Sequence, residues 1–170
     1  MLVYYTMENT AKQQTNFADC YVLMHTRTKA FILSFLDAFL PHREAYNTTY
    51  NVPELSEEPT IIFTSTETLI DYLENNKQET YGIYWHNKEA TDLQGAMVLF
   101  YEEGHVVLGL CCQTLIPDTS IEKAYTERLM KFCNSSQSCI LYEEPAPQSL
   151  EAFLSKVTPP HWICFRNSLN

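Results

Sequence analysis

The chain has 170 residues, a formal net charge of −10 and a pI of about 4.8. An apolar fraction of 45% and a charged fraction of 19% are typical of a globular protein and exclude the collagen-like, low-complexity and coiled-coil classes. The 11 Lys and Arg residues argue against nucleic acid as a direct partner, because phosphate binding depends on these side chains. No apolar run reaches the roughly 18 residues that a membrane span needs, so we expect no membrane partner.

The first half of the chain predicts two helices between short strands. Apolar residues repeat at helical spacing from Thr28 to Leu40, and Pro41 ends this helix. Residues 41–60 contain three prolines and many turn-forming residues, which predicts a long irregular loop of a kind that is often functional. A capping box at 64–67 begins a second helix that ends at 75–76. Strands are predicted at 1–6, 19–24, 60–65 and 81–86.

The second half predicts a central hairpin followed by two more helices. Segments 95–101 and 105–112 are apolar nearly throughout and flank the turn Glu102-Glu103-Gly104, as expected for paired central strands. Residues 118–132 predict a helix with a capping box between Thr119 and Glu122. A short helix at 150–157 and strands at 138–142 and 162–165 complete the pattern. We therefore expect one α+β domain over 1–170, with a mixed or mainly antiparallel sheet and about four helices packed on it.

The amino-terminal residues and the cysteines favour a cytoplasmic protein. The first basic residue is Lys12 and Glu8 interrupts the opening segment, unlike a secretory signal. Most of the six cysteines lie in apolar runs, so we expect buried, reduced thiols. Their spacing matches no paired zinc ligands, and we expect neither a metal nor a cofactor.

Acidic residues are concentrated in one third of the chain. Residues 51–103 hold eleven of the 21 acidic residues and, as bases, only Lys77 and Lys88. If these carboxylates share a face, their field would attract a basic partner. A solvated surface that promotes solubility is the alternative, and both interpretations stay open.

No catalytic signature accompanies this charge. Motifs for nucleotide binding, a nucleophile elbow and a zinc protease are absent. The pairs His105 with Cys112 and His161 with Cys164 are conceivable, but buried thiols and surface histidines explain them more simply. Aromatic residues are abundant, and Tyr and Trp are the types enriched in binding hot spots.

Three stretches of the chain together have a familiar pattern: RTKAFILSFLDAFLPHRE (27–44) followed by YNVPE (50–54), ETLIDYLENN (67–76) followed by YGIYWHN (81–87), and GAMVLFYEEGHVVLGL (95–110). Over about residues 27–110 they resemble small acidic α+β proteins of bacteria, some of which serve as immunity proteins in toxin systems. That resemblance implies a protein that binds and blocks a toxin without catalytic residues of its own.

The leading hypothesis is a non-enzymatic, cytoplasmic protein-binding module, in the manner of an immunity-type inhibitor that blocks a basic partner. The predicted partner-binding residues are the carboxylates Glu54, Glu57, Glu58, Glu102 and Glu103, with Tyr50 and Trp85 as aromatic anchors. The alternative is an enzyme or small-ligand-binding protein with a pocket between sheet and helices. A third possibility is a scaffold subunit that only dimerises, and the sequence leaves the oligomeric state open.

Overall fold

The computed structural model describes residues 16–157, which form the predicted α+β fold with four α-helices. The strands are β1 (Asn16–Met24), β2 (Arg43–Ala45), β3 (Tyr50–Val52), β4 (Ile61–Phe63), β5 (Tyr81–Asn87), β6 (Leu93–Phe100), β7 (Val106–Thr114) and β8 (Ser138–Tyr142). The helices are α1 (Lys29–Phe39), α2 (Thr66–Asn75), α3 (Ser120–Cys133) and α4 (Leu150–Lys156). The strands predicted at 1–6 and 162–165 lie outside the described residues.

Six strands form the main sheet in the order β2-β5-β6-β7-β1-β8, and every neighbouring pair is antiparallel. The predicted β6–β7 hairpin is confirmed at its centre. Glu103 and Gly104 adopt positive φ angles of 62° and 82° in the turn, a conformation that glycine tolerates without steric cost. Both central strands are buried along nearly their whole length, since helices pack on one face and α4 and neighbouring side chains cover much of the other.

Helices α1, α2 and α3 cover one face of the sheet, which we call the covered face. Alternation along β5 points Tyr81, Ile83 and Trp85 into this core, where Ile32 and Phe35 of α1 also pack. Removing each such side chain from water contributes about 1.5–3 kcal/mol. The covered face therefore accounts for most of the stability of the fold.

The opposite face is covered at one end only, by α4. Phe153 is fully buried there among apolar residues of the sheet that include Leu23, Val107 and Leu141. The remainder of this side, which we call the open face, presents Asp19, Tyr21, Tyr84, Met97 and Cys111. The candidate site lies on this open face.

The prediction of a long irregular loop at 41–60 is wrong, because this segment contains two strands. β2 pairs with β5 and forms one edge of the main sheet, while β3 pairs with β4 in a separate two-stranded sheet. In β3 the residues Tyr50 and Val52 alternate with Asn51, and the outer two are buried in the covered-face core. The prolines at 53 and 59 fall in the turn between β3 and β4, where they interrupt no strand pairing.

The two predicted capping boxes are also corrected. Helix α2 begins one residue later than expected, with the Ser65 hydroxyl accepting from the backbone N–H groups of Glu67 and Thr68. Thr119 makes no side-chain cap bond to α3. Glu122 turns inward instead, because its Oε1 accepts hydrogen bonds from the hydroxyls of Thr114 (2.8 Å) and Tyr142 (2.9 Å).

Candidate functional site

A pocket of about 510 Å³ opens on the uncovered part of the sheet. Its volume lies in the range of roughly 300–1,000 Å³ that is common for ligand sites. Four strands supply its main side chains: Asp19 and Tyr21 from β1, Tyr84 from β5, Met97 from β6 and Cys111 from β7. The pocket is thus built on rigid elements, with the exposed Tyr46 at its rim.

Glycines in the strands make room for these side chains. A Cβ at Gly109 would lie 2.4 Å from Met97 Cγ and 2.9 Å from Tyr21 Cε1, so both side chains lie across this position. A Cβ at Gly82 would lie 2.9 Å from the Tyr84 hydroxyl. The rings and the thioether therefore lie low over the sheet, which leaves the depression above them.

Tyr21 is a fully buried side chain that lines the pocket. Its hydroxyl has no hydrogen-bond partner within the described part of the chain. Burial, and then the charge of Asp19, raise the pKa of Tyr21, so the phenol stays protonated at neutral pH. A buried hydroxyl without a partner costs free energy, which makes this position unusual in a well-packed sheet.

Asp19 lies beside Tyr21 on the same face and is half-buried. Burial raises the pKa of this carboxyl, while the Cys111 thiol and the Tyr21 hydroxyl act in the opposite direction. The Tyr21 hydroxyl is near enough to lower the pKa, yet it does not reach hydrogen-bond geometry with the carboxylate. A carboxylate held here has fewer interactions with water than a surface one and gains more from a cationic partner.

The charge and the aromatic content of the pocket favour a cation. Asp19 is the one charged residue among the described lining residues. Tyr84 and Tyr46 are exposed at the rim, and the Tyr46 ring packs edge-on against His86 at 5.3 Å between centroids. His86 Nε2 in turn lies 3.3 Å from the Glu44 carboxylate. Aromatic faces and a carboxylate together attract ammonium or guanidinium groups.

A smaller cavity of about 230 Å³ lies next to this pocket and shares Tyr84 with it. Glu54 lines it and accepts a hydrogen bond from the backbone N–H of Gly82 at 2.9 Å. Burial raises the pKa of Glu54 and this hydrogen bond lowers it. Glu54 therefore satisfies a backbone group of β5 at a position that β2 does not pair.

The predicted acidic residues approach one end of the sheet in two turns. Glu57 and Glu58 are exposed in the turn that Glu54 anchors to Gly82, and Glu102 and Glu103 are exposed in the β6–β7 turn. Glu102 follows Tyr101, which lines the same small cavity as Glu54. The structure thus places Glu54 at the start of β5, with Glu57 and Glu58 in the same turn, and Glu102 and Glu103 directly after the end of β6.

The buried Arg27 lies at this end of the sheet, and its hydrogen bonds go to backbone carbonyls rather than to the acidic side chains. All five guanidinium N–H groups of Arg27 donate to backbone carbonyls, those of Leu73, Asn76, Lys77, Glu79 and Tyr101. Its carbon Cζ also lies 5.0 Å from the centre of the Phe100 ring. Burial lowers the pKa of Arg27 to about 10, so the guanidinium stays charged at neutral pH.

The two predicted aromatic anchors lie in the core. Tyr50 and Trp85 are each only 3% exposed, and the Tyr50 hydroxyl donates to the Asn47 carbonyl at 2.6 Å. Strand alternation explains this result, because Trp85 faces the covered side together with Tyr81 and Ile83. Neither side chain is placed to contact a partner, whereas Tyr84 points to the open face.

Asp19, Tyr21, Tyr84 and Cys111 were not among the candidates from sequence. A signal for them exists in β1, where the polar Asp19 and Tyr21 occupy alternate positions in the otherwise apolar segment NFADCYVLM. Glycines at 82, 95 and 109 in adjacent strands are a second signal, since they leave the same face of the sheet without a side chain at these positions. Only the pairing of the strands brings these positions together.

The thiols and histidines of the described chain form no reactive pair. Five cysteines are free, four of them are buried, and Cys20 Sγ lies 4.0 Å from Cys112 Sγ. His105 precedes β7 and Cys112 lies near its other end, which separates them by roughly 20 Å along an extended strand. Residues 16–157 contain no group of three or more His, Cys, Asp or Glu residues that could hold a metal. His161 and Cys164 lie outside the described residues.

Comparison with protein families, with curated proteins and with solved structures finds no match to this chain. Among residues 16–157, no helix combines the length and the apolar character needed to cross a bilayer. The function is therefore inferred from the geometry of the site.

Proposed function

We propose that this protein is a non-enzymatic binding module for a basic protein partner, and that an immunity-type inhibitor is its specific form. The observation that carries the proposal is the position of the exposed carboxylates of residues 53–60 and 101–105 at one end of the sheet. The nearer, small cavity is lined by Glu54, and the larger pocket farther along the same side of the sheet has Asp19 as its charged lining residue, so both are acidic. Such a surface attracts a basic partner and speeds its association.

The mechanism is occlusion of a basic surface of the partner. Glu57, Glu58, Glu102 and Glu103 pair with Lys or Arg residues there, since all four are exposed. Tyr46 and Tyr84 act as the aromatic anchors in place of Tyr50 and Trp85, because they are 65% and 36% exposed and line the pocket. Rigid aromatic side chains contribute large contact areas at a low entropic cost.

The chemistry of the pocket supports binding rather than catalysis. Burial and the nearby Asp19 carboxylate raise the pKa of Cys111, so this thiol is protonated and a poor nucleophile at neutral pH. No imidazole is found among the described residues that line the pocket. Among the described lining residues, Asp19 is the base beside this thiol, and its charge disfavours the thiolate that nucleophilic catalysis would need.

Small-ligand binding is a second candidate, favoured by the volume of about 510 Å³. From the sequence, such a pocket is expected between the sheet and the helices. That interface is packed with side chains such as Phe35, Leu36 and Val98, which are at most 1% exposed. The pocket lies on the opposite side of the sheet, where a protein partner can also reach it.

A pull-down from native lysate at low and at moderate salt tests the proposal. The bait variants are the wild type, Glu102→Lys/Glu103→Lys, and the matched control Glu127→Lys/Glu143→Lys, which changes the same charge away from the acidic turns. We expect the wild type and the control to retain one stoichiometric basic protein at low salt and less of it at moderate salt. The Glu102→Lys/Glu103→Lys variant should retain little at either salt. Absence of a stoichiometric partner, or equal retention by all three baits, would contradict the proposal.

A further inference from the structure

We propose that the open-face pocket is a binding site for a single arginine side chain, with Asp19 as the counter-ion of its guanidinium group. The inference rests on the proposed function for the source of that arginine, a basic protein partner. The pocket itself can be tested without the partner.

The carboxylate of Asp19 provides the electrostatic part of this site. It is half-buried, it is the one charged residue of the described lining, and no lysine or arginine lies among those lining residues. An anionic ligand would meet uncompensated repulsion there. A guanidinium pairs with a carboxylate through two parallel N–H···O bonds, which are stronger than hydrogen bonds between neutral groups.

The buried hydroxyl of Tyr21 provides an independent indication of a ligand. This side chain is 0% exposed, lines the pocket, and its oxygen has no hydrogen-bond partner among residues 16–157. A neutral apolar ligand would leave that hydroxyl and the Asp19 carboxylate unsatisfied. A donor in the pocket pairs with the carboxylate, and it reaches the enclosed Tyr21 oxygen once the side chains that cover this oxygen move.

Arginine fits this arrangement better than lysine. The guanidinium is planar, carries five N–H donors and stacks on aromatic faces, whereas an ammonium is a compact, strongly hydrated charge. Tyr84 and Tyr46 offer their exposed rings at the rim. One planar group can therefore pair with the Asp19 carboxylate while it lies against the exposed ring of Tyr84 or Tyr46.

Calorimetric titration of the full chain with capped peptides is the test. The probe is acetyl-Gly-Arg-Gly-amide, and the control is its citrulline analogue, which has nearly the same shape without the charge. We expect the citrulline peptide to bind at least about tenfold more weakly. Asp19→Asn should weaken the binding of the arginine peptide by a similar factor, and Tyr21→Phe by a smaller one. Glu67→Gln, which removes an exposed carboxylate from α2 on the other side of the sheet, should leave it unchanged.

Circular dichroism of each variant confirms that it is folded before titration. Equal binding of the two peptides, undiminished binding by Asp19→Asn, or no binding at all would overturn the inference. Sedimentation as a dimer that dissociates in Tyr84→Glu would also overturn it, since a second copy would then occupy the open face. Capture of a basic partner that Asp19→Asn leaves unchanged would overturn the arginine site alone and leave the proposed function standing.

Discussion

Asp19 and Tyr21 are two polar residues on the same face of β1, the first half-buried and the second fully buried. Burial raises the pKa of the Asp19 carboxyl, and the Tyr21 hydroxyl lacks a partner among the described residues. Both features cost folding free energy. Residues that lower stability in this way are typical of binding sites, where function and stability are in conflict.

Replacing Tyr21 by Phe should stabilise the protein. The substitution keeps the ring that packs over Gly109 and removes only the unsatisfied hydroxyl. We expect the free energy of unfolding to rise by about 1 kcal/mol, as measured by urea denaturation. A loss of stability would show that the hydroxyl has a partner in the folded protein, and would remove the main indication of a ligand.

Replacing Asp19 by Asn should stabilise the protein at pH 7. The unfolded pKa is near 3.8 and burial raises the folded pKa, so between these values the native state binds more protons than the unfolded state. The stability of the wild type therefore falls as pH rises through that interval, and the cost persists at higher pH. Tyr21, Tyr84 and Cys111 face this carboxyl and stay neutral in the same range, because burial raises the pKa of each.

The control for this effect is the same comparison in acid. Well below pH 3.8 Asp19 is protonated in both states, and the stability gain of Asp19→Asn should vanish. Urea denaturation of both proteins across this pH range gives the measurement. A gain that is independent of pH would contradict the assignment to the ionised carboxylate.

At the level of single residues, the sequence identified exposed carboxylates better than aromatic contacts. Glu102 and Glu103 follow from a glycine-containing turn, which is a local signal. Which aromatic residue of Tyr84 and Trp85 faces a partner depends on which side of the sheet the helices cover. Alternation along the strand shows that these two side chains point to opposite faces of the sheet, but it does not show which face the helices cover.

Among the helices, α2 depends on one buried side chain from outside it. Arg27 donates to the Leu73 and Asn76 carbonyls at the carboxyl end of α2, to those of Lys77 and Glu79 after it, and to Tyr101 at the end of β6. A positive charge there also interacts favourably with the helix dipole. This single guanidinium joins α2 to the end of the central hairpin.

Replacing Arg27 by Lys should destabilise the fold by about 3 kcal/mol or more. An ammonium has three donors and cannot satisfy five carbonyls in a plane, so buried acceptors would be left without hydrogen bonds. Arg128→Lys is the matched control, because Arg128 is exposed and should tolerate the change. Similar denaturation midpoints for the two variants would contradict this role of Arg27.

Replacing Gly109 by Ala should destabilise the central sheet and displace the Met97 and Tyr21 side chains that lie over this position. The new Cβ would lie 2.4 Å from Met97 Cγ, and the cost of such overpacking is about 1–3 kcal/mol. Gly82→Ala is the comparison, since its Cβ would meet the movable end of the Tyr84 side chain and should cost less. Thermal denaturation of both variants provides the measurement, and a larger cost at Gly82 would contradict this difference.

Elements with strong local periodicity were predictable, and short elements defined by pairing were not. Helix α1 and the β6–β7 hairpin were confirmed because apolar spacing and a turn glycine specify them locally. The three-residue strands β2 and β3 were missed, since each is stabilised by a distant partner strand. The predicted capping role of Glu122 is wrong for a related reason, because its carboxylate accepts hydrogen bonds from the distant residues Thr114 and Tyr142.

At the scale of the whole molecule, one face of the main sheet carries the larger packed core and the other carries the pocket. One face is covered by three helices, whereas the other is covered only in part by α4. The acidic turns lie at the start of β5, where Glu54 is bonded to Gly82, at the end of the sheet that α4 covers, and the pocket lies farther along the strands on the same side. A basic partner that contacts both the turns and the pocket would therefore extend roughly 17 Å along the strands.

The most direct test is an NMR titration of the full chain with the capped arginine peptide, followed through the backbone amide shifts. Binding at the open face predicts shift changes concentrated at Asp19, Tyr84, Met97 and Cys111, with little change for the citrulline peptide. Changes confined to the acidic turns at 53–60 and 101–105, or equal changes with both peptides, would contradict a built cation site on this face.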